Sequence, residues 1–172
     1  MLGVNTISIQ DQSIIQKRLG ASSSLATPTQ FNQSEGDVTI ETKLDIDNAD
    51  LEFLLTHQGN FRVASEGGLP WFKQKDILET AVSFDDKQRT VLRVSLTGEA
   101  ARRVARLSAS TEETVILVTL DDEILSTARV TSPIPNGVLQ MTIDKTPHEA
   151  MLITKLIESG PLSFQAKVLQ IK

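Results

Sequence analysis

The sequence TPHEAMLITKLIESGPL, residues 146–162, decides the fold class because it contains a complete helix with its start and stop signals. Thr146 and Glu149 have the spacing of a capping box, in which each side chain bonds the backbone N–H of the other residue. Pro147 suits the first helical position, where its missing N–H costs nothing, and Gly160 favours an end to the helix. The stretch predicts one capped helix in a chain whose other segments include many strand patterns.

The same stretch contains His148 beside Glu149, residue types that general acid–base catalysis uses. At 100° per residue, however, His148 projects from the polar side of the helix, which predicts a solvent-exposed imidazole. The opposite, apolar side consists of Ala150, Leu152, Ile153, Leu156 and Ile157. His57 is predicted in the last turn of another helix, where a cation suits the negative end of the helix dipole. Neither histidine is assigned a catalytic role, and we predict a protein that is not an enzyme.

The composition narrows the classes of function. Of the 172 residues, 40% are hydrophobic and 23% are charged, which is typical of a globular protein. The net charge of -5 and the pI near 5.1 disfavour a nucleic-acid partner, because Lys and Arg contacts to phosphate supply most of that affinity. The sequence contains no cysteine, which excludes disulfides, thiolate nucleophiles and Cys-ligated zinc. No cofactor and no metal are predicted.

The sequence also predicts a soluble chain. Its longest apolar run, Val115–Val118, is far shorter than the roughly 20 residues that span a bilayer. Residues 1–10 lack the basic-then-apolar pattern of a signal sequence. Two questions stay open at this point: whether a signal or membrane anchor precedes these residues, and in which oligomeric state the protein occurs.

The first part of the chain alternates between strand and helix patterns. Strands are predicted from apolar–polar alternation, and helices from caps at Asp11 and Asp47 and stops at Gly20 and Gly59. The predicted strands are 4–9, 25–31, 37–44 and 60–65, and the predicted helices are 11–20 and 48–58. This βαββαβ order is typical of a ferredoxin-like lobe.

A break between two lobes is predicted at residues 65–71. Gly67 and Gly68 are followed there by a proline, which favours a bend and makes both glycines hinge candidates. We therefore expect a ferredoxin-like base lobe of residues 1–66 and a head lobe of residues 67–172.

The head lobe is predicted to be mostly antiparallel, with the order ββαβββαβ. Its predicted strands are 77–84, 90–96, 114–120, 124–130, 138–143 and 162–171. A helix at 98–107 is predicted in addition to the capped helix that begins at Pro147. A return of residues 162–172 to the base is the open alternative for the last segment. Two lobes that both mix helices with mostly antiparallel strands give the class α+β.

Two groups of residues are candidates for binding. Arg102, Arg103 and Arg106 share one face of the predicted helix and would suit an anionic ligand or an acidic partner. A solvated outer face is the favoured alternative, because charge runs usually serve solubility. Trp71 and Phe72 follow the predicted bend. They are predicted either to be buried at the joint between the lobes, which we favour, or to form an exposed apolar contact for a partner.

Taken in order, the motifs resemble the first large extracytoplasmic region of SecD, a subunit of the accessory complex of the bacterial Sec preprotein translocase. The resemblance covers nearly the whole chain. It rests on IIQKRL (14–19), DVTIETKL (37–44), NFRV (60–63), VSLTGEAA (94–101), VILVTLDD (115–122), IPNG (134–137) and TPHEA (146–150). Asp122 and Asp144 occupy positions where the family has glycine, so the chain resembles a divergent, soluble relative.

The resemblance implies an extracytoplasmic base-and-head arrangement that contacts unfolded polypeptide during export, and it implies no catalysis. We therefore predict a non-enzymatic polypeptide-binding or assembly module of the cell envelope, whose partner is a polypeptide or an envelope protein. An extended peptide would add to an exposed sheet edge or lie between the lobes. Binding of an anionic ligand or acidic partner by the three arginines is the alternative.

Overall fold

The computed structural model describes residues 8–20, 30–34, 37–41, 46–110 and 114–166. These residues form, in chain order, α1 (Ile9–Arg18), β1 (Gln30–Ser34), β2 (Asp37–Glu41), α2 (Asn48–Thr56), β3 (Phe61–Ser65), a 3-10 helix (Gln74–Asp76), β4 (Ile77–Phe84), β5 (Thr90–Leu96), α3 (Gly98–Ser110), β6 (Thr114–Leu120), β7 (Glu123–Val130), β8 (Val138–Thr142) and α4 (Pro147–Ser159). Every strand pair in this part of the chain is antiparallel. The predicted class, α+β, is confirmed.

The chain forms two compact units. The first comprises Met1–Gln58 and Pro161–Lys172, and the second comprises Gly59–Gly160. The division therefore lies after residue 58, whereas the sequence predicted it within residues 65–71. The physical reason is that β3 pairs with β6 over its whole length, so β3 belongs to the second unit.

The ferredoxin-like order predicted for the base is only partly covered by the described residues. The predicted hairpin is present as β1 and β2. The predicted strand 4–9 lies mostly outside the described residues, and its last residue, Ile9, begins α1. The described part of the predicted strand 162–171 ends at residue 166 and contains no strand.

α1 begins before the position that the sequence predicts. Its N-cap is Ser8 instead of Asp11, and the Asp11 N–H donates to Ser8 Oγ at 3.0 Å. Asp11 itself is buried in the first turn of the helix. Its carboxylate accepts bonds from the Ser163 N–H at 2.9 Å and the Ser163 hydroxyl at 2.7 Å. Asp11 thus ties the start of α1 to the returning C-terminal segment.

A small apolar core joins α1, α2 and the returning segment. Its buried members are Ile14, Ile15, Leu19 and Leu162, and Ile40, Ile46, Leu51, Leu55 and Phe164 pack around them. Arg18 is buried too, at 0% exposure. Its guanidinium donates to the carbonyls of Leu54 at 2.9 Å and His57 at 2.6 Å, and to that of Gln58. Arg18 therefore satisfies carbonyl groups at the end of α2, where the helix provides no partner of its own.

The stability of the first unit is expected to depend on pH through the Asp11 carboxyl. Burial acts to raise its pKa, but hydrogen bonds from Ser163 and Ser8 outweigh burial and hold the pKa below the ordinary value of 3.8. Such a group stabilises the fold above its unfolded-state pKa, and this contribution is lost as the pH falls through the native pKa. We expect Asp11→Asn to lower the free energy of unfolding at about pH 6, and the difference from wild type to shrink below about pH 4.

Urea unfolding followed by circular dichroism at several pH values measures this difference. Asp86→Asn, which changes an exposed loop carboxylate, is the control. An Asp11→Asn effect of the same size at about pH 2 and about pH 6 would contradict the role given to this carboxylate.

The second unit contains two three-stranded sheets. One has the strand order β3-β6-β7 and the other has the order β4-β5-β8. α4 packs on β4, and the side chains that are fully or almost fully buried come from both sheets and both helices. They include Val63, Leu92, Val94, Val104, Val118, Ile153 and Leu156.

α4 confirms the helix predicted within residues 146–162, including its start, its end and its buried side. The Glu149 N–H donates to Thr146 Oγ1 at 3.2 Å, and the Thr146 N–H donates to Glu149 Oε2 at 2.8 Å, which completes the capping box. Pro147 is the first helical residue, and the helix ends at Gly160 with φ 87°. The predicted apolar side of the helix is buried, and His148 is exposed.

Candidate functional site

Backbone groups on the outer edges of the two sheets form the candidate site. In an antiparallel ladder, residues alternate between those that bond one neighbouring strand and those that face the other side. The Leu96 N–H on β5 donates to Gly137 O just before β8, at 3.0 Å. The Ile143 N–H just after β8 donates to Thr90 O, also at 3.0 Å. The odd-numbered residues of β8 therefore bond β5. Its even-numbered residues, such as Gln140, direct their backbone N–H and C=O away from the sheet.

The same alternation identifies the outward residues of β7. The Glu66 N–H donates to Val115 O at 3.1 Å, so odd-numbered residues of β6 face β3 and even-numbered residues face β7. Val118, an even-numbered residue, lies opposite Ser126 of β7. Ser126 therefore bonds β6, and the next residue, Thr127, directs its backbone groups outward.

The outer edge of β3 is closed by the chain that follows it. Val63 O accepts from the Trp71 N–H at 2.9 Å, and the Ser65 N–H donates to Leu69 O at 3.0 Å. These are the outward groups of β3, because its even-numbered residues face β6. An extended peptide therefore has no place to pair on this edge.

The outer edge of β4 is partly covered by α4. Glu158 Oε1 accepts from the Thr80 N–H at 3.1 Å and from Thr80 Oγ1 at 2.8 Å. A charged side chain on a sheet edge disfavours the addition of another strand. By alternation, the backbone groups of Val82 and Phe84 also face outward on this edge.

β7 and β8, the remaining edge strands, line a common groove of about 730 Å³, which is within the size range of binding clefts. Thr127 and Gln140, the outward residues found above, both line it. Ser126 bridges the two strands, because its Oγ donates to Thr142 O at 2.7 Å. Two sheet edges therefore open into one groove, and outward backbone N–H and C=O groups of both strands are among its hydrogen-bonding groups.

Two of the three charged side chains that line this groove, Arg89 and Lys145, are paired with neighbours, and the third, Asp144, is exposed. Lys145 Nζ lies 2.7 Å from Glu123 Oε1, and this hydrogen bond raises the pKa of Lys145 above its ordinary value of 10.5. Arg89 Nη2 lies 2.7 Å from Asp85 Oδ2 in the loop between β4 and β5. Since both cations are matched locally, the groove offers backbone, hydroxyl and amide groups beside the Asp144 carboxylate.

The sequence did not identify this groove, although it predicted a strand at the position of β7 and another at that of β8. The arginines that it did identify are exposed on α3. Arg103 Nη2 donates to Pro70 O at 3.2 Å, so this residue helps to hold the segment that closes β3. A binding role for the face formed by Arg102, Arg103 and Arg106 stays a prediction.

The structure decides between the alternatives for the segment around residue 70: Trp71 and Phe72 are buried, as favoured, but within the second unit and not at a joint between lobes. Trp71 and Phe72 are 3% and 5% exposed, so they belong to the core and present no apolar surface to a partner. Gly67 and Gly68 lie in a tight turn of the second unit, where the Gly68 N–H donates to Ser65 O at 2.8 Å. The two glycines are therefore not at the division between the units, which was the reason for naming them as a hinge.

Neither histidine lies in the groove. His57 follows α2, and its Nδ1 is 2.9 Å from Phe53 O while its ring lies 4.0 Å from the Phe53 ring. Among the residues that the structure describes, no group of His, Asp and Glu is arranged to hold a metal ion. No helix within the described ranges has the length and apolar character needed to cross a membrane.

Solved structures of SecDF share the fold. One, described as a membrane component SecDF that enhances protein export, is 16% identical, with a TM-score of 0.72 over 95% of this chain and 91% of that chain. A second, SecDF in a super-membrane-facing form, is also 16% identical, with a TM-score of 0.77 over 94% of this chain and 27% of that chain.

A curated relative and a family model agree with the fold. The protein translocase subunit SecD of Acidaminococcus fermentans is 29% identical over 96 residues, which are 56% of this chain and 23% of that protein. This chain thus spans about a quarter of the length of that relative. The family described as SecDF, P1 head subdomain, matches residues 68–164, more than half of the chain. The resemblance to the SecD extracytoplasmic region is confirmed, and the chain belongs to the SecDF P1 head family.

Proposed function

We propose that this chain serves protein export as a non-enzymatic, extracytoplasmic module that binds extended polypeptide along the outer edge of β8. Membership of the SecDF P1 head family supports the export role, because a relative is a protein translocase subunit. The observation that carries the binding mode is the outward backbone of Gln140, which opens into a groove of suitable size. Its partners are an exported polypeptide and membrane-associated components of the translocase.

Strand addition suits a module that meets many different polypeptides. In this mode the backbone hydrogen bonds provide the affinity, and side-chain pockets provide specificity. The wall opposite β8 contributes small side chains, Ser126, Thr127 and Ala128, which leave room for varied side chains of a ligand. The groove is therefore expected to accept any segment that is extended and has free N–H groups.

A titration with a short peptide tests this proposal. The probe is an acetylated and amidated peptide of about ten alternating Thr and Val residues, followed through the backbone amide NMR signals of the protein. We expect chemical-shift changes at Gln140 and its neighbours. Gln140→Pro removes one outward N–H but keeps the bonds between β8 and β5, so it should weaken binding about 5- to 10-fold, the equivalent of one hydrogen bond.

Phe84→Pro is the matched control, because it removes an outward N–H from an exposed position on the other edge of the same sheet. It should leave the affinity unchanged. The same peptide with every second amide N-methylated should bind far more weakly, since it lacks donors on one side. Shifts confined to α3 or α4, or none at millimolar peptide, would contradict binding at β8.

A further inference from the structure

We infer that Asp144 makes this groove selective for extended polypeptide segments that carry lysine or arginine. The inference rests on the proposed function and deepens it, because the backbone bonds of strand addition do not depend on the side chains of the ligand. It names the class of polypeptide that the groove prefers among the extended segments that it accepts.

The first observation is the charge balance of the groove lining. Its charged side chains are Arg89, Asp144 and Lys145. The Arg89 guanidinium contacts the Asp85 carboxylate through Nε and Nη2, both at 2.7 Å. The Lys145 ammonium donates to Glu123 Oε1, also at 2.7 Å. Asp144 is exposed and makes no hydrogen bond or ion pair with the residues that the structure describes, so its charge is left unmatched.

The second observation is the charge around Lys145. Three carboxylates, those of Glu123, Glu149 and Asp144, all act to raise the pKa of Lys145. One ammonium therefore faces three negative charges beside the groove. The amide dipoles at the start of α4 offset part of the Glu149 charge, because that residue lies in the first turn of the helix. An excess of negative charge remains next to Asp144, and a cation bound in the groove would reduce it.

Lysine and arginine are the ligand side chains that fit this position. Asp144 lies four residues after Gln140 and just beyond the end of β8. A segment bound beside Gln140 therefore brings a charge to Asp144 from further along its own chain, and the long stems of lysine and arginine give the necessary reach. One exposed charge pair of this kind should raise the affinity about 2- to 5-fold. Aspartate or glutamate at the same place would be repelled.

Peptides of opposite charge test the selectivity. The probes are the Thr-Val peptide with a lysine added at each end and the same peptide with a glutamate added at each end, so that either orientation brings a charge toward Asp144. NMR titrations of the full chain at about 0.01 M salt measure both affinities. We expect the lysine peptide to bind at least about 4-fold more tightly than the glutamate peptide, and this preference to shrink at about 1 M salt.

Asp144→Asn should reduce this preference at least about 2-fold and leave the affinity for the uncharged Thr-Val peptide unchanged. Glu79→Gln is the matched control, because it removes one negative charge from an exposed position on β4 that does not line the groove. It should keep the preference of the wild type. The comparison separates the local charge of Asp144 from the net charge of the chain.

The outcomes distinguish this inference from the proposed function. Equal affinities of the two charged peptides, or a preference that Asp144→Asn and Glu79→Gln reduce alike, would overturn the selectivity, and the proposed function would stand if the Gln140 signal still shifts. A lysine preference that depends on Asp144, without any shift at Gln140, would support the selectivity and overturn strand addition at β8. Failure of both charged peptides and of the uncharged peptide to bind would overturn both.

Discussion

Arg18→Met should lower the free energy of unfolding of the first unit by about 3–5 kcal/mol, because two carbonyls at the end of α2 lose their guanidinium donor at once. The methionine keeps an unbranched apolar side chain but has no donor. The carbonyls of Leu54 and His57 would lose the guanidinium that now bonds them, while the Gln58 carbonyl would keep the Leu162 N–H as a donor at 2.8 Å. Each buried acceptor left unsatisfied costs about 1–3 kcal/mol. Arg18→Lys keeps the charge without the planar fork and should be intermediate.

Amide exchange of α1 and α2 measures this effect, because it reports the first unit directly. Lys17→Met is the matched control. It removes a neighbouring positive charge from the same helix at an exposed position and should change stability by no more than about 0.5 kcal/mol. Equal effects of the two variants would show that the contacts of Arg18 do not stabilise the fold.

Gly137→Ala should destabilise the second unit by about 3–5 kcal/mol for two separate reasons. Gly137 has φ +61°, a left-handed conformation that costs a residue with a side chain about 1–2 kcal/mol. In addition, an added Cβ would lie 2.2 Å from Ala101 Cβ and 2.7 Å from Ala101 Cα on α3. Relief of that overlap requires a shift of the helix backbone or of the turn before β8.

Gly68→Ala separates the two causes. Gly68 has φ +80°, but an added Cβ meets nothing within 4 Å. It should therefore cost only about 1–2 kcal/mol, the conformational part. Trp71 is the single tryptophan and is buried in the second unit, so urea unfolding followed by its fluorescence reports this unit. Equal losses in the two variants would contradict the close contact between Gly137 and α3.

The sequence predicts best where the structure depends on neighbouring residues. The Thr146–Glu149 capping box needs only contacts within one helical turn, and α4 forms as expected. β4, β5 and β6 have the predicted bounds, because alternation of apolar and polar residues is also a local pattern. The close approach of Gly137 to Ala101 on α3 was not predicted, because the two residues are distant in the sequence.

The features that the sequence did not predict depend on contacts between distant parts of the chain. β3 was assigned to the base because it follows α2 in sequence, yet its partner is β6, more than fifty residues later. The burial of Arg18 had one available signal, since it lies three and four residues after Ile15 and Ile14, on the apolar side of α1. No signal in the sequence indicated the groove, because no local pattern shows which sheet edges are covered and which line a common groove.

Disulfide trapping at position 140 tests whether polypeptide binds at the edge of β8. The chain has no cysteine, so Gln140→Cys introduces a single thiol. It would be oxidised in the presence of Thr-Val peptides that each carry one cysteine at a successive position. In a strand pair, opposite residues on one face have Cα atoms about 4.5–5.5 Å apart, within disulfide range, while the next peptide residue points to the other face.

Strand addition at β8 predicts a cross-linking yield that alternates along the peptide with a period of two, and low, uniform yields for Phe84→Cys on β4. Slippage of the peptide by two residues would preserve this pattern. Yields at Gln140→Cys that do not vary with the position of the peptide cysteine, or that Phe84→Cys matches, would contradict strand addition at β8.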